Sequence, residues 1–326
     1  MVQANIPDGS SDFFNSALDF GISIMQEKIL GKGEDSFLLK LGRTQGVAGV
    51  FDGCGGSGAK KYGKFQGHSG AFMASRVVGG AVQDWFYDCT QSGKKFTETS
   101  ALKNRIKAYL SLCQQVGGEK SPGIRGSLSK EFPTTMAVIT SEFLNDHLQA
   151  SCLWAGDSRC YLWDSNGLKQ LTMDDLGGLD AMENLTADGV LTNVISNSND
   201  FTIHVNVIRP NLPCLLFAAT DGCFGYLSTP MEFEAILLST LLSAKNISGW
   251  EDALTAQLRE IAGDDFTLTG MAFGFGDFLS IKSTFLTRYK SLYRNYIAGI
   301  NDCSQAKKIA LWEKYKIEYS KFLQEE

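Results

Sequence analysis

Val47–Gly58 reads VAGVFDGCGGSG: an apolar run rich in Val and Phe that stops at Asp52 and gives way to a loop with four glycines in six residues. The run has the length and composition of a buried β-strand, and the glycines mark backbone that bends sharply or approaches a neighbour closely. An acid at the end of a core strand is held by a rigid element, which suits a ligand for a hard cation. A plain Asp-Gly turn between two strands would have the same local appearance.

Working outward, the arrangement recurs. Leu215–Gly222, LLFAATDG, is a second apolar run that ends in Asp221-Gly222. Glu34 and Asp35 occupy a glycine-flanked turn before the strand expected over Phe37–Leu41, and Gly263-Asp264-Asp265 precedes another over Thr267–Phe275. A tight turn, Gly156-Asp157-Ser158-Arg159, separates the expected strands His147–Ala155 and Cys160–Trp163. Further strands are expected over Asp19–Gln26, Thr134–Glu142 and Phe201–Ile208, with a hairpin at Asn166-Gly167. Helical spacing of apolar residues predicts helices over Gly70–Cys89 (capped by Ser69), Ser100–Val116, Met231–Ala244 and Trp250–Ile261. Residues 1–12 read as a loose tip and Gly117–Lys130 as a loop. Leu171–Asn199, polar and irregular, reads as a flexible flap.

Four acids therefore stand where apolar strands meet glycine turns, Asp35, Asp52, Asp221 and Asp264, and Asp157 makes a fifth. Carboxylates with few histidines suit Mg²⁺ or Mn²⁺ better than zinc. Two such ions, roughly 3.5–4 Å apart, can activate a water and neutralise a phosphoryl group.

Composition narrows the function classes. The chain has 326 residues, 44% hydrophobic and 20% charged, as expected of a globular protein with a sizeable core. A net charge of -6 argues against nucleic-acid binding. The charge is uneven: residues 282–326 carry +4, leaving -10 on residues 1–281. The eight cysteines form no CxxC pair, and several sit in apolar runs, which fits a reducing, cytoplasmic setting. Neither a signal peptide nor a run of about 20 apolar residues is evident, so no membrane role is expected.

In order and spacing, EDSF, VFDGCGG, TTMAV, WAGDSRCYLW, AATDGCFGYL and GDDFTLT resemble the metal-dependent protein phosphatases of the type 2C Ser/Thr family, over about residues 19–276. The resemblance implies an α+β four-layer sandwich, two antiparallel β-sheets packed face to face with α-helices on both outer faces. It also implies hydrolysis of phosphoserine and phosphothreonine in proteins by a water or hydroxide bridging two divalent ions. By the family pattern Asp52 bridges the ions and the Gly53 carbonyl binds one. Asp221 and Asp264 complete a shell, Glu34 and Asp35 act there directly or through water, and Asp157 helps hold a third ion. The cofactors implied are two or three Mg²⁺ or Mn²⁺ ions, and the partner is a phosphorylated protein.

The chain departs from that pattern at three places. Asp265 stands where the family usually has Asn. Cys54 stands where it has a histidine that is a candidate proton donor, and a thiol is a poorer general acid. His68, on the following insert, is the candidate substitute. Leu30 stands at the position of a phosphate-binding arginine, and Lys32, in an open turn between Gly31 and Gly33, is the candidate replacement, although lysine lacks arginine's bidentate fork. Residues 1–281 would form the phosphatase-like domain. Residues 282–326, with apolar stripes at Phe285, Tyr289, Leu292, Tyr296 and Ile300 and at Trp312, Tyr315, Tyr319 and Phe322, would form a helical extension packed on that domain or on a partner protein. The alternative to an active enzyme is a catalytically weak pseudophosphatase serving as a regulatory binding module.

Overall fold

The computed structural model describes residues 18–118, 130–144, 147–177, 180–185, 189–300 and 302–323. The expected tip at residues 1–12 and most of the expected loop at 117–130 lie outside them.

In chain order the elements are β1 (Leu18–Gln26), β2 (Ser36–Leu41), β3 (Gln45–Phe51), a single turn α1 (Gly55–Gly58), α2 (Gly70–Ser92) and α3 (Thr99–Gly117). Then come β4 (Met136–Leu144), β5 (His147–Ala155), β6 (Arg159–Asp164), β7 (Gly167–Gln170), β8 (His204–Ile208) and β9 (Cys214–Ala219). The chain continues with α4 (Pro230–Ser243), α5 (Ile247–Arg259), β10 (Phe266–Phe273), α6 (Phe278–Leu292) and α7 (Gln305–Tyr319).

The strands form two five-stranded sheets, ordered β1-β10-β9-β6-β7 and β2-β3-β4-β5-β8, with every neighbouring pair antiparallel. Both faces of each sheet are buried, which explains why the central strands read as continuous apolar runs rather than alternating ones. In β3, Ala48 and Val50 face the other sheet, whereas Val47 and Phe51 pack under α2 and α3. In β9, Leu216 and Ala218 fill the space between the sheets, whereas Leu215 and Phe217 face the layer of α4 to α7. The result is the expected four-layer α+β sandwich.

Local signals set the helix ends. Ser69 Oγ accepts the Phe72 N–H at 3.0 Å to open α2, and Gly93, at φ 65°, closes it with its N–H on the Cys89 carbonyl. The eight cysteines are free.

One expectation changes, and one of the two alternatives for the C-terminal stripes is found. The 171–199 segment has little regular structure, yet it is not a loose flap where it is described: Ala181, Met182, Val194 and Ile195 are buried. Indole nitrogen Nε1 of Trp154 also donates to the Met173 carbonyl at 2.7 Å. The C-terminal stripes pack on the domain itself. Phe285, Leu292, Ile300, Trp312, Tyr315 and Tyr319 join the core outside the first sheet. Glu234 of α4, fully buried, accepts from Arg288, from the Tyr315 hydroxyl at 2.7 Å and from the Trp163 indole.

Candidate metal centre

The acids come together because antiparallel order puts several strand ends at one end of both sheets. Strand β3 runs into Asp52, β9 into Asp221, and β5 into the Gly156–Arg159 turn, while Asp35 precedes β2 and Asp264 precedes β10. Asp35, Asp157, Asp221 and Asp264 all lie within electrostatic reach of Asp52, and Asp264 within reach of Asp221. Asp52 and Asp221 are crowded by protein while keeping a partly accessible face.

Burial, followed by the neighbouring carboxylates, lifts Asp52 well above its ordinary range. The same two causes lift Asp157 well above its range and raise Asp221. Burial raises Asp35 to about 7 even though the hydroxyls of Thr220 and Thr267 donate to its Oδ2 at 2.9 and 2.8 Å. Burial raises Glu34 as well. Such a cluster ionises fully only when a positive charge is supplied. Among the described residues, no three His, Cys, Asp or Glu side chains close into a ready cage. Two observations fit a hard cation: Asp157 Oδ1 is buried without a hydrogen-bond partner among the described residues, and the donor set is all oxygen.

Backbone contacts hold the acid-bearing turns. The Asp52 carbonyl accepts from the Thr135 N–H at 2.8 Å and the Thr134 hydroxyl at 2.7 Å. Gly53 admits no side chain, since a Cβ there would lie 2.6 Å from the Ala71 carbonyl oxygen. Gly222 is closed in the same way by the Asp265 carbonyl. The turn carrying Asp157 is held at three points. Asp175 accepts from the Gly156 N–H at 2.8 Å, Thr135 Oγ1 and Ser158 Oγ are 2.7 Å apart, and buried Arg159 forms a bidentate pair with Asp174.

Sequence reasoning missed Asp174, Asp175, Thr220, Thr267 and Arg76, and noted Asp265 only as a departure from the family pattern. Asp265 accepts the Lys28 N–H at 2.7 Å and the Glu34 N–H at 2.8 Å, so it positions the loop bearing Glu34 and Asp35. Ser69 Oγ donates to Glu34 Oε1, and Arg76 donates to the carbonyls of Gly33 and Glu34, both at 3.3 Å. A Thr or Arg inside an apolar strand or helix has no local signal of this role; the one available hint was hydroxyls flanking the strand-end acids.

The departing positions are also placed. Burial and nearby Asp52 push the Cys54 thiol well up, so it stays a neutral S–H. The His68 ring stacks on Phe72 with centroids 3.8 Å apart, and no carboxylate hydrogen bond to it is present among the described residues. Lys32 is exposed on the β1–β2 loop, whereas Lys28 is engaged through Nζ with the Ala262 carbonyl at 2.6 Å. Leu30 is 93% exposed.

No protein-family model matches the sequence, and a search of curated proteins gives no match. Solved structures do share the fold. Serine/threonine phosphatase Stp1 from Staphylococcus aureus is 16% identical, with 84% of this chain and 99% of that one covered and a TM-score of 0.56. A bacterial serine phosphatase is 17% identical, with 78% and 97% covered and a TM-score of 0.55. The catalytic domain of the serine/threonine protein phosphatase PstP, in complex with two manganese ions, is 15% identical, with 78% and 97% covered and a TM-score of 0.50. At these identities the likeness establishes a shared fold.

Proposed function

We propose that this chain is a divergent member of the metal-dependent protein phosphatases, hydrolysing phosphoserine and phosphothreonine in proteins with Mg²⁺ or Mn²⁺. The observation that carries the reading is the gathering of five carboxylates at one end of the two sheets, four of them raised by burial and mutual repulsion. The manganese-bearing neighbour with the same fold supports it.

Asp52, Asp221 and Asp264, with Glu34, Asp35, the Gly53 carbonyl and Asp157, would hold two or three cations. When bound, divalent ions supply an activated water and neutralise charge on the phosphoryl group. The protein's own part is to keep these oxygens in register. Thr134 and Thr135 fix the carbonyl of Asp52, Asp265 fixes the Glu34 backbone, and Arg159, through Asp174, fixes the Asp157 turn. Lys32 and His68 are the proposed phosphate cation and proton donor. His68 would have to leave its stack on Phe72 to act.

A second reading, a metal-binding but catalytically weak regulator, is favoured by the neutral Cys54 and exposed Leu30. One experiment separates the two: Mn²⁺-dependent hydrolysis of a phosphothreonine peptide by the wild-type protein and by Asp52→Asn, with chelator controls. The expected result is turnover that needs metal and falls by roughly 10²–10³-fold or more in the variant. Calorimetric Mn²⁺ binding without turnover would select the regulator.

A further inference from the structure

Helix α7 reaches the carboxylate end of the molecule through one side chain. Trp312 Nε1 and Lys316 Nζ of α7 both donate to Asp180 Oδ2, at 3.0 and 2.9 Å. The other oxygen, Oδ1, accepts the backbone N–H groups of Met182 and Glu183 at 2.9 and 3.0 Å, and the Asp180 carbonyl accepts from the Asn184 N–H at 2.9 Å. A single carboxylate thus caps the helical turn Glu183–Leu185 and fastens it to α7. From that turn Asn184 Nδ2 donates to Asp174 Oδ2 at 2.7 Å, on the carboxylate that also pairs with Arg159.

The turn has a place in the site. Asn184 and Leu185, with Leu176 and Tyr226, line a cavity of about 300 Å³ whose other wall includes Asp157 and Asp221. The cavity lies beside the carboxylates and has an apolar and amide side, which a phosphate group alone does not need. A residue flanking a phosphorylated Ser or Thr would fill it. The packing of α7 does not require the Asp180 contact, since Trp312, Tyr315 and Tyr319 are already buried against the sheet. What the contact adds is a defined position for a segment with almost no regular structure.

We propose that α7, acting through Lys316, Trp312 and Asp180, positions the 180–185 turn as the wall that receives the polypeptide part of the substrate. These three are positioning residues for protein substrates, and the inference rests on the phosphatase reading above. Loss of the fastening should therefore weaken use of a peptide and spare a small aryl phosphate, which touches only the carboxylate end.

The test uses the full chain with Mn²⁺. Wild type, Lys316→Met, Lys316→Arg and Asp180→Asn are assayed on a phosphothreonine peptide and on p-nitrophenyl phosphate, with thermal midpoints recorded for each. Lys316 is partly exposed and Asp180→Asn keeps the capping oxygen, so both variants should fold. The expected result is a KM for the peptide raised about five- to tenfold in Lys316→Met and Asp180→Asn, aryl phosphate kinetics within about twofold, and recovery in Lys316→Arg. Equal losses on both substrates, or no change on either, would overturn the proposal. Absence of aryl phosphate turnover by the wild type would count against the phosphatase reading alone. Anisotropy of a fluorescein-labelled phosphothreonine peptide then decides: weaker binding by Lys316→Met supports the positioning role, and equal or absent binding rejects it.

Discussion

Asp35 is buried beneath the hydroxyls of Thr220 and Thr267, and its carboxyl is lifted to about 7 by burial. An acid whose folded value exceeds its unfolded value of about 3.9 contributes stability that is full below the unfolded value and is lost as pH rises through the folded one. Asp52, Asp157 and Asp221 shift in the same direction. In chelator, the thermal midpoint should therefore fall between about pH 5 and pH 8, and Mn²⁺ should restore it by compensating the ionised cluster. A scanning-fluorimetry profile in chelator that stays flat or rises across that window would contradict this account. On the helix-facing side of the first sheet, fully buried Glu234 balances the largely buried Arg288. Glu234→Ala should cost about 3–5 kcal/mol in urea denaturation, because it strands the guanidinium.

At the level of the element, the start of α2 serves two structures at once. Ser69 Oγ accepts the Phe72 N–H and donates to Glu34. Ser69→Ala should lower stability by about 1 kcal/mol through the lost cap. It should also weaken Mn²⁺ binding by about tenfold, the scale for losing a partner that orients a ligand. Calorimetry on the same sample checks both, and an unchanged Mn²⁺ affinity would remove Glu34 from the proposed ligand set. The segment after β7 teaches a complementary lesson. Its glycines and polar residues read as a flap, yet Asp174, Asp175 and Asp180 are the residues that pin it, each to a partner distant in sequence or on another element. Polarity marks a segment as lacking regular structure and carries no information about whether its polar groups find partners.

For the molecule as a whole, the boundary read near residue 281 marks a change of composition. It does not mark a division of the core. Ile281, Phe285, Leu292, Trp312 and Tyr319 are among the most buried side chains and share a cluster with Trp163, Phe233 and Trp250. A chain ending at residue 281 would expose the part of the first sheet's helix layer that α6 and α7 cover. It should lose its cooperative thermal transition and aggregate on refolding; a soluble truncated form with a sharp transition and intact Mn²⁺ binding would show the extension to be dispensable.

By itself the sequence determined where most of the strands lie, which turns carry acids, where α2 is capped and that β6 and β7 pair across Asn166-Gly167. These are local matters: side-chain period, glycine freedom and capping act over a few residues and leave their pattern in the chain. Tertiary structure alone decided which groups meet. Thr220 and Thr267 lie 185 and 232 residues from the Asp35 they hold, and Lys316 lies 136 residues from Asp180. A threonine in a strand looks the same whether its hydroxyl faces solvent or a buried carboxylate. The two sheets and their outer helices must be assembled before that difference exists, because only packing removes the water that would otherwise satisfy either group.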